Sequence, residues 1–350
     1  MKEFSIGDHL ISKTSKPFVV AEMSGNHNQS LETALSIVDA AAKAGAHAIK
    51  LQTYTADTMT LNVDRNEFKI LDKKSLWYGR RLYELYREAH TPWEWHEPIM
   101  RRAKELGIIC FSAPFDETAV DFLETLNVPA YKIASFENTD VRLLRRVART
   151  KKPVIISTGM ASLNDLELMV NTMREEKCEN FILLKCTSAY PAQPSDANLR
   201  TLPHLSAMFD CPVGLSDHTM GVGVAIAAVA LGAVIIEKHF TLSRAAGGVD
   251  AAFSLEPEEL KLLVSESEKA WQSLGRVNYK TSNIEEKSKQ FRRSIYFSQD
   301  MKTGDIITEA AVRCVRPGYG LPIKHYDALI GLKLKRSVSK GEAVKWDVFV

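Results

Sequence analysis

Two short stretches carry the residues best suited to chemistry. CPVGLSDHTMGVG, from Cys211 to Gly223, begins as a buried strand and ends in Ser216, Asp217, His218 and Thr219. VIIEKHFT, from Val234, ends in Glu237, Lys238 and His239. Imidazoles on neighbouring strands can share one divalent cation and leave coordination positions open for substrate. A hydrogen-bonded histidine pair without metal uses the same two residues. Glu237 lies two residues before His239, so it points to the same side of its strand. Four lysines, Lys50, Lys132, Lys185 and Lys238, sit in or at the ends of strand-like runs. Lysine is almost never buried without a partner. Several cations at one pocket therefore point to a phosphate or carboxylate substrate, or one of them to a Schiff base with a carbonyl compound. Alternation turns Lys238 away from Glu237 and His239, toward the helices, where a snorkelling stem with a solvated amine is expected. Glu22, in AEMSGNHN, is a candidate acid–base group, and His27 close by reads as a polar loop residue that could also ligate metal. Ser135, Ser157, Thr158, Thr187, Ser188 and Ser216 add hydroxyls. SDHTMGVG leads into a helix N-terminus, which suits an anion, although turn chemistry explains any single serine.

These residues need elements that bring them together. Eight apolar or β-branched runs close on polar residues: they begin at Phe18, Ala48, Ile108, Ala130, Pro153, Phe181, Pro212 and Val234. Such runs fit strands buried on both faces. Between them lie helical patterns, clearest in SLETALSIVDAAAKAGA, with Ser30 as N-cap and Gly45 at its end. Strand and helix alternating eight times predicts a (β/α)8 TIM barrel, whose active site gathers at the C-terminal strand ends. About 60 residues separate the second and third strands, against the usual 2–6 of a βα loop. The surplus, residues 54–95, reads as an extended loop with its own helix covering one end of the barrel.

Composition excludes several classes. A chain of 350 residues with 45% hydrophobic and 25% charged residues is an ordinary soluble globular protein. A net charge of +2 gives no reason to expect nucleic acid or an anionic membrane as partner. No apolar run is long enough to span a bilayer, and MKEFSIGDHL lacks the apolar core of a signal peptide, so a cytoplasmic location is expected. Five cysteines without a CxxC pair read as small core residues rather than a disulfide framework.

After Gly275 the pattern changes. Residues 1–275 form the barrel domain, 276–291 read as a polar linker without periodicity, and 292–350 as a small β-rich module with turns at MKTGD, GYGLP and SKGE. Arg316, in VRPGYG, sits on one of its loops.

AEMSGNHNQS, KLQTYTADTMT, AYKIASFE, STGM, GLSDHT and EKHFT, followed by such a tail, resemble the sialic acid synthase family over nearly the whole chain, and most closely its pseudaminic branch. The resemblance implies a TIM barrel followed by an antifreeze-like (SAF) domain, and a metal-dependent condensation of phosphoenolpyruvate with an N-acetylated amino sugar. For the pseudaminic branch that sugar is 2,4-diacetamido-2,4,6-trideoxy-L-altrose. By the same likeness the divalent metal, usually Mn2+ with Mg2+ or Co2+ as substitutes, is held by His218 and His239. Lys50, Gln52, Lys132, Ser135, Ser188 and Ser216 contact substrate, Glu22 serves acid–base chemistry, and Glu137, Tyr190 and Asp250 line the sugar side. The resemblance also implies a domain-swapped homodimer in which Arg316 reaches the sugar in the partner's barrel. Ala113 replaces a family hydroxyl that touches phosphate, and Ser188 stands where sialic acid synthases carry Asn. Rival readings are neuraminate or legionaminic acid synthesis on another hexosamine, a metal-free Schiff-base aldolase, and a sugar- or ice-binding protein using the C-terminal module.

Overall fold

The computed structural model describes residues 3–350. The chain divides into two compact units, Met1–Gly275 and Arg276–Val350. In the first, a hairpin of β1 (Phe4–Ile6) and β2 (His9–Ile11) precedes eight parallel strands. These are β3 (Phe18–Glu22), β4 (Ala48–Thr53), β5 (Ile109–Pro114), β6 (Tyr131–Ile133), β7 (Val154–Ser157), β8 (Phe181–Cys186), β9 (Val213–Asp217) and β10 (Ile235–His239). They close into a barrel in sequence order, with β10 pairing back onto β3. The expected TIM barrel is present, and each strand begins within one residue of its apolar run.

Period-2 alternation sorts the strand residues into two cores. Val19, Ala21, Ile49, Leu51, Ile133, Leu183 and Leu215 face the helices. Phe18, Val20, Ala48, Phe111, Ala130, Ile155, Ile182, Leu184 and Ile235 fill the barrel interior. Phe4, Ile6 and Ile11 of the hairpin join that inner cluster. The hairpin, which the apolar pattern alone did not reveal, therefore packs its apolar side chains on the inner core at the N-terminal ends of the strands. The inner apolar layers stop before the C-terminal strand ends, where Glu22, Lys50, Lys132, Ser157, Ser216 and Glu237 are buried instead.

The surplus between β4 and β5 carries short helices at Ala56–Met59 and Leu82–Ala89. Its charges pair among themselves: Arg80 with Glu88, Arg81 with Glu84, and Lys69 with Asp64 at 2.6 Å. Leu85 and Ala89 are buried.

The second unit has its own core, including Ile295, Phe297, Ile307, Val312, Leu334, Val344 and Val348. β11 (Ser294–Phe297) and β12 (Val312–Val315) pair antiparallel. The segment 276–291 is not wholly irregular. Asn283–Ser288 is helical, started by a capping box between Ser282 and Glu285. Six residues are too few for apolar periodicity, but the S-x-x-E spacing carries the start signal. All five cysteines are free, and among the described residues no helix is long and apolar enough to cross a membrane.

Candidate active site

Register brings the chemistry together. Glu22 lies beside Lys50 on one side and His239 on the other, and Ser216 beside Glu237. On the barrel's inner face Lys50 Nζ is 3.0 Å from Glu22 Oε2 and 3.0 Å from Glu237 Oε1. Lys132 Nζ is 3.6 Å from the same Glu237 Oε1 and donates to Ser157 Oγ at 2.6 Å. Ser216 Oγ donates to Glu237 Oε1 at 3.0 Å. One oxygen of Glu237 thus serves three neighbours, while Oε2 is buried with no hydrogen-bond partner. Burial pushes the Glu22 carboxyl up, with Lys50 opposing and Glu237 adding to the rise. For Glu237 burial also acts upward, but Lys132 and Lys50 win and hold it below the usual carboxylate range. Two buried lysines thus converge on one carboxylate, an arrangement suited to an anionic substrate.

Above this floor stand the two histidines, with ring centroids 5.4 Å apart. His218 Nδ1 donates to the Thr187 carbonyl at 2.9 Å; a carbonyl can only accept, so this contact sets a proton on Nδ1. Burial lowers the His239 pKa well below its ordinary value, helped by His218 and Lys50, so the ring stays neutral. His239 Nδ1 is buried without a hydrogen bond and lies 3.8 Å from Asp250 Oδ2. For His218 burial acts downward, but the hydrogen bonds to Cys186 and the Thr187 carbonyl win and raise its pKa; both rings would have to be neutral to ligate a divalent cation. Among the described residues no group of three His, Cys, Asp or Glu side chains is placed to hold a metal ion. Cys186 is also here: burial would raise its thiol, but its hydrogen bond to His218 and that ring's charge bring it down to about 7.

Gln52 Nε2 donates to Glu22 Oε1 at 2.9 Å and to Ser24 Oγ at 3.1 Å. Ser24 Oγ in turn donates to Asp250 Oδ2. Ser188 Oγ donates to Ser135 Oγ at 2.8 Å. Gly159 of STGM permits that contact, since a Cβ there would lie 2.2 Å from Ser188 Oγ and 2.9 Å from Ser135 Cβ. Burial pushes Glu137 up to about 7 against the pull of Lys132, and its Oε2 is unpartnered. Tyr190 packs on His218 with centroids 4.5 Å apart. A cavity of about 440 Å³ opens above, lined by Gln52, Ser135, Glu137, Ser188, Tyr190, His239 and Asp250 and by side chains of the insertion.

The structure thus brings Glu22, Lys50, Gln52, Lys132, Ser135, Glu137, Ser188, Tyr190, Ser216, His218, His239 and Asp250 to one end of the barrel. Arg316 does not join them within this unit; it is an exposed residue of the second unit. Lys185 also stays outside: its register partner is Leu215 of the helix-facing layer, and its Nζ donates to the Cys186 carbonyl at 3.0 Å. Lys238 faces outward as expected, but its amine is not solvated. It is fully buried, ion-paired to Asp217 Oδ2 at 2.9 Å and bonded to the carbonyls of Thr219 and Gly221. It closes the loop that carries His218, a role a snorkelling stem cannot fill. His27 is buried, bonded to Thr91 Oγ1 at 3.1 Å and packed on Trp95. Ser24 is a further site residue; it lies in the turn after β3 at a φ of 47°, where strand alternation gives no signal. The insertion residues Met59, Ile70, Leu82 and Leu85 also line the cavity and carry no polar signal, and Trp77 and Tyr86 join them.

Comparison with known proteins decides the family. The NeuB family pattern matches residues 37–279, and a SAF domain matches residues 292–350. The chain belongs to the NeuB family. This NeuB-family chain is an enzyme of the sialic acid synthase type. It is 45% identical to pseudaminic acid synthase of Campylobacter jejuni over 330 residues, 94% of this chain and 96% of that one. It is 41% identical to pseudaminic acid synthase of Helicobacter pylori over 324 residues, 91% and 94% of the two chains. Among solved structures, the N-acetylneuraminic acid synthetase of Leptospira borgpetersenii, in complex with citrate, superposes with a TM-score of 0.73 at 32% identity, over 82% of this chain and 95% of that one.

Proposed function

We propose that this NeuB-family enzyme condenses phosphoenolpyruvate with 2,4-diacetamido-2,4,6-trideoxy-L-altrose and water, giving pseudaminic acid and phosphate. Condensation of phosphoenolpyruvate with a sugar to a nonulosonic acid is the activity of this kind of synthase, and the pseudaminic relatives favour this sugar. The observation that carries the reading is the pair of buried ammonium groups, Lys50 and Lys132, converging on one carboxylate beneath two neutral-capable imidazoles.

Lys50 and Lys132 hold the carboxylate and phosphate of phosphoenolpyruvate and keep them charged in a water-poor site. Carbon 3 attacks the open-chain aldehyde, leaving an oxocarbenium at carbon 2. Water adds there, and the tetrahedral intermediate expels phosphate with its bridging oxygen. Glu22, with its raised pKa, carries the proton that the aldehyde oxygen gains as the carbon–carbon bond forms. Gln52 fixes the Glu22 carboxyl from one side. When bound at His218 and His239, a divalent cation, Mn2+ by family likeness, supplies Lewis-acid polarisation of the aldehyde.

Product analysis with phosphoenolpyruvate and each candidate hexosamine tests the sugar: formation of neuraminic or legionaminic acid instead would replace it. Heavy oxygen placed in the bridging position should leave with phosphate; retention in the keto acid would mean P–O cleavage. Borohydride trapping on Lys50 or Lys132 would indicate a Schiff base. We also infer a homodimer in which Arg316 serves the partner's barrel. Arg316→Ala and His239→Ala homodimers should both be inactive. Equal mixing with subunit exchange should restore about a quarter of the wild-type rate. A dead mixture of folded, exchanging subunits would place Arg316 outside the reaction.

A further inference from the structure

Ser24 stands in left-handed backbone, at a φ of 47°, and is buried. A side chain is disfavoured there and glycine is not, so the serine needs a reason in its contacts. Its hydroxyl joins two parts of the site. Oγ donates to Asp250 Oδ2, the one hydrogen bond that the Asp250 carboxyl makes among the described residues. With its single hydrogen so committed, Oγ can only accept from Gln52 Nε2, at 3.1 Å. The Gln52 amide is thereby turned to donate to Glu22 Oε1 at 2.9 Å as well. Glu22 is the register partner of His239, and Asp250 Oδ2 lies 3.8 Å from His239 Nδ1. The chain Glu22–Gln52–Ser24–Asp250 therefore brackets His239 from both ends.

The backbone on both sides is held without these contacts. Gly25 packs so closely on Ala89 that a Cβ would lie 3.1 Å from the Ala89 carbonyl oxygen. Asn26 Nδ2 donates to the Phe240 carbonyl and to Ser254 Oγ, each at 2.9 Å, and Ser254 Oγ donates to the Asp250 carbonyl at 2.7 Å. Trp77 Nε1 donates to the Val249 carbonyl at 3.0 Å. The loop that carries Asp250 is thus fastened at its ends and beside Asp250 itself, and what Ser24 adds is confined to side chains. We propose that Ser24 is a positioning residue of the condensation: it fixes the Asp250 carboxyl against the His239 ring and, through Gln52, the Glu22 carboxyl on the other side. This rests on the functional reading above, in which Glu22 carries the proton.

The test compares Ser24→Gly with Ser24→Ala. Both remove the hydroxyl, but glycine also relieves the backbone, so its thermal midpoint should lie about 2–4 °C above that of the alanine variant. Turnover should nevertheless fall about 10- to 100-fold in both, the scale of a misplaced group close to the chemistry. Phosphoenolpyruvate binding, read by titration calorimetry, should stay at the wild-type value, because Lys50 and Lys132 keep Glu237 as their anchor. A merely structural serine would make kcat follow the thermal midpoint, with the glycine variant near wild type. In an Asp250→Ala background, Ser24→Gly should cost at least about fivefold less than in the wild type. A Ser24→Gly enzyme at full rate, a parallel loss of phosphoenolpyruvate binding, or an equal cost in both backgrounds overturns the proposal. Failure of the wild type to form any product from phosphoenolpyruvate and the acceptor would instead overturn the functional reading, and this proposal with it.

Discussion

Asp217 and Lys238 on the outer face of the barrel, and Glu237 with Lys50 and Lys132 on the inner face, are the same chemistry solved in opposite ways. Outside, one carboxylate meets one ammonium. Asp217 Oδ1 accepts from Thr219 N at 3.0 Å, Oδ2 accepts from Thr219 Oγ1 at 3.1 Å, and Lys238 completes the set. Inside, Glu237 places three donors on one oxygen and leaves the other without a partner, while Glu137 Oε2 and His239 Nδ1 are also unpartnered. The outer cluster is closed and can only hold; the inner one has vacant bonding capacity, so it can take a ligand. The two faces are also coupled. Asp217 and Lys238 are register partners, and the next residue along each strand is His218 or His239. The outer ion pair therefore ties together the two chain segments that carry the imidazoles.

Five substitutions would break or sharpen this contrast. The largest effect belongs to the histidines. His218→Ala or His239→Ala should cut turnover by roughly 10³-fold or more, as expected on losing several kcal/mol of Lewis-acid stabilisation. Manganese binding by the purified protein should fall in parallel while the thermal transition stays close to wild type. Full activity in metal-free His239→Ala would remove the metal from the scheme.

Lys132→Met should lower kcat/KM for phosphoenolpyruvate by about 10²-fold, the scale of one lost charge contact in the transition state. Its stability should change little, since Glu237 keeps Lys50 and Ser216. Lys238→Met should show the reverse pattern. It leaves Asp217 buried without a cation, which costs about 3–5 kcal/mol, and denaturant unfolding measures it. A stable Lys238→Met protein with intact manganese affinity would show that the outer pair does not position the histidines.

The smallest effect is pH-dependent. The Glu137 carboxyl, raised by burial from 4.5 to about 7, prefers its protonated form in the fold. Its contribution is therefore complete below the unfolded pKa and is lost as pH rises through 7. Glu137→Gln does not titrate, so its stability relative to wild type should grow between pH 5 and 8, by at most about 3 kcal/mol. A difference independent of pH would mean that Glu137 is not held in its neutral form.

Unbroken apolar or β-branched runs are enough to read all eight barrel strands, because burial on both faces demands an apolar sequence whatever the neighbours are. The histidines, Lys50, Lys132 and Glu22 were legible for the same reason: a polar residue interrupting such a run needs a partner. The sequence could not show which partner. Whether Lys238 ends in water or against Asp217 depends on the β9–β10 register, a long-range pairing that no local pattern encodes. The insertion's share of the cavity was equally invisible. Ile70, Leu82 and Leu85 look like ordinary core residues of a surface insertion, and only the chain's return over the strand ends turns them toward the cavity. Sequence alone determined which residues are able to react; the tertiary structure decided which of them are left unsatisfied, because hydrogen-bond satisfaction is a property of contacts between distant segments.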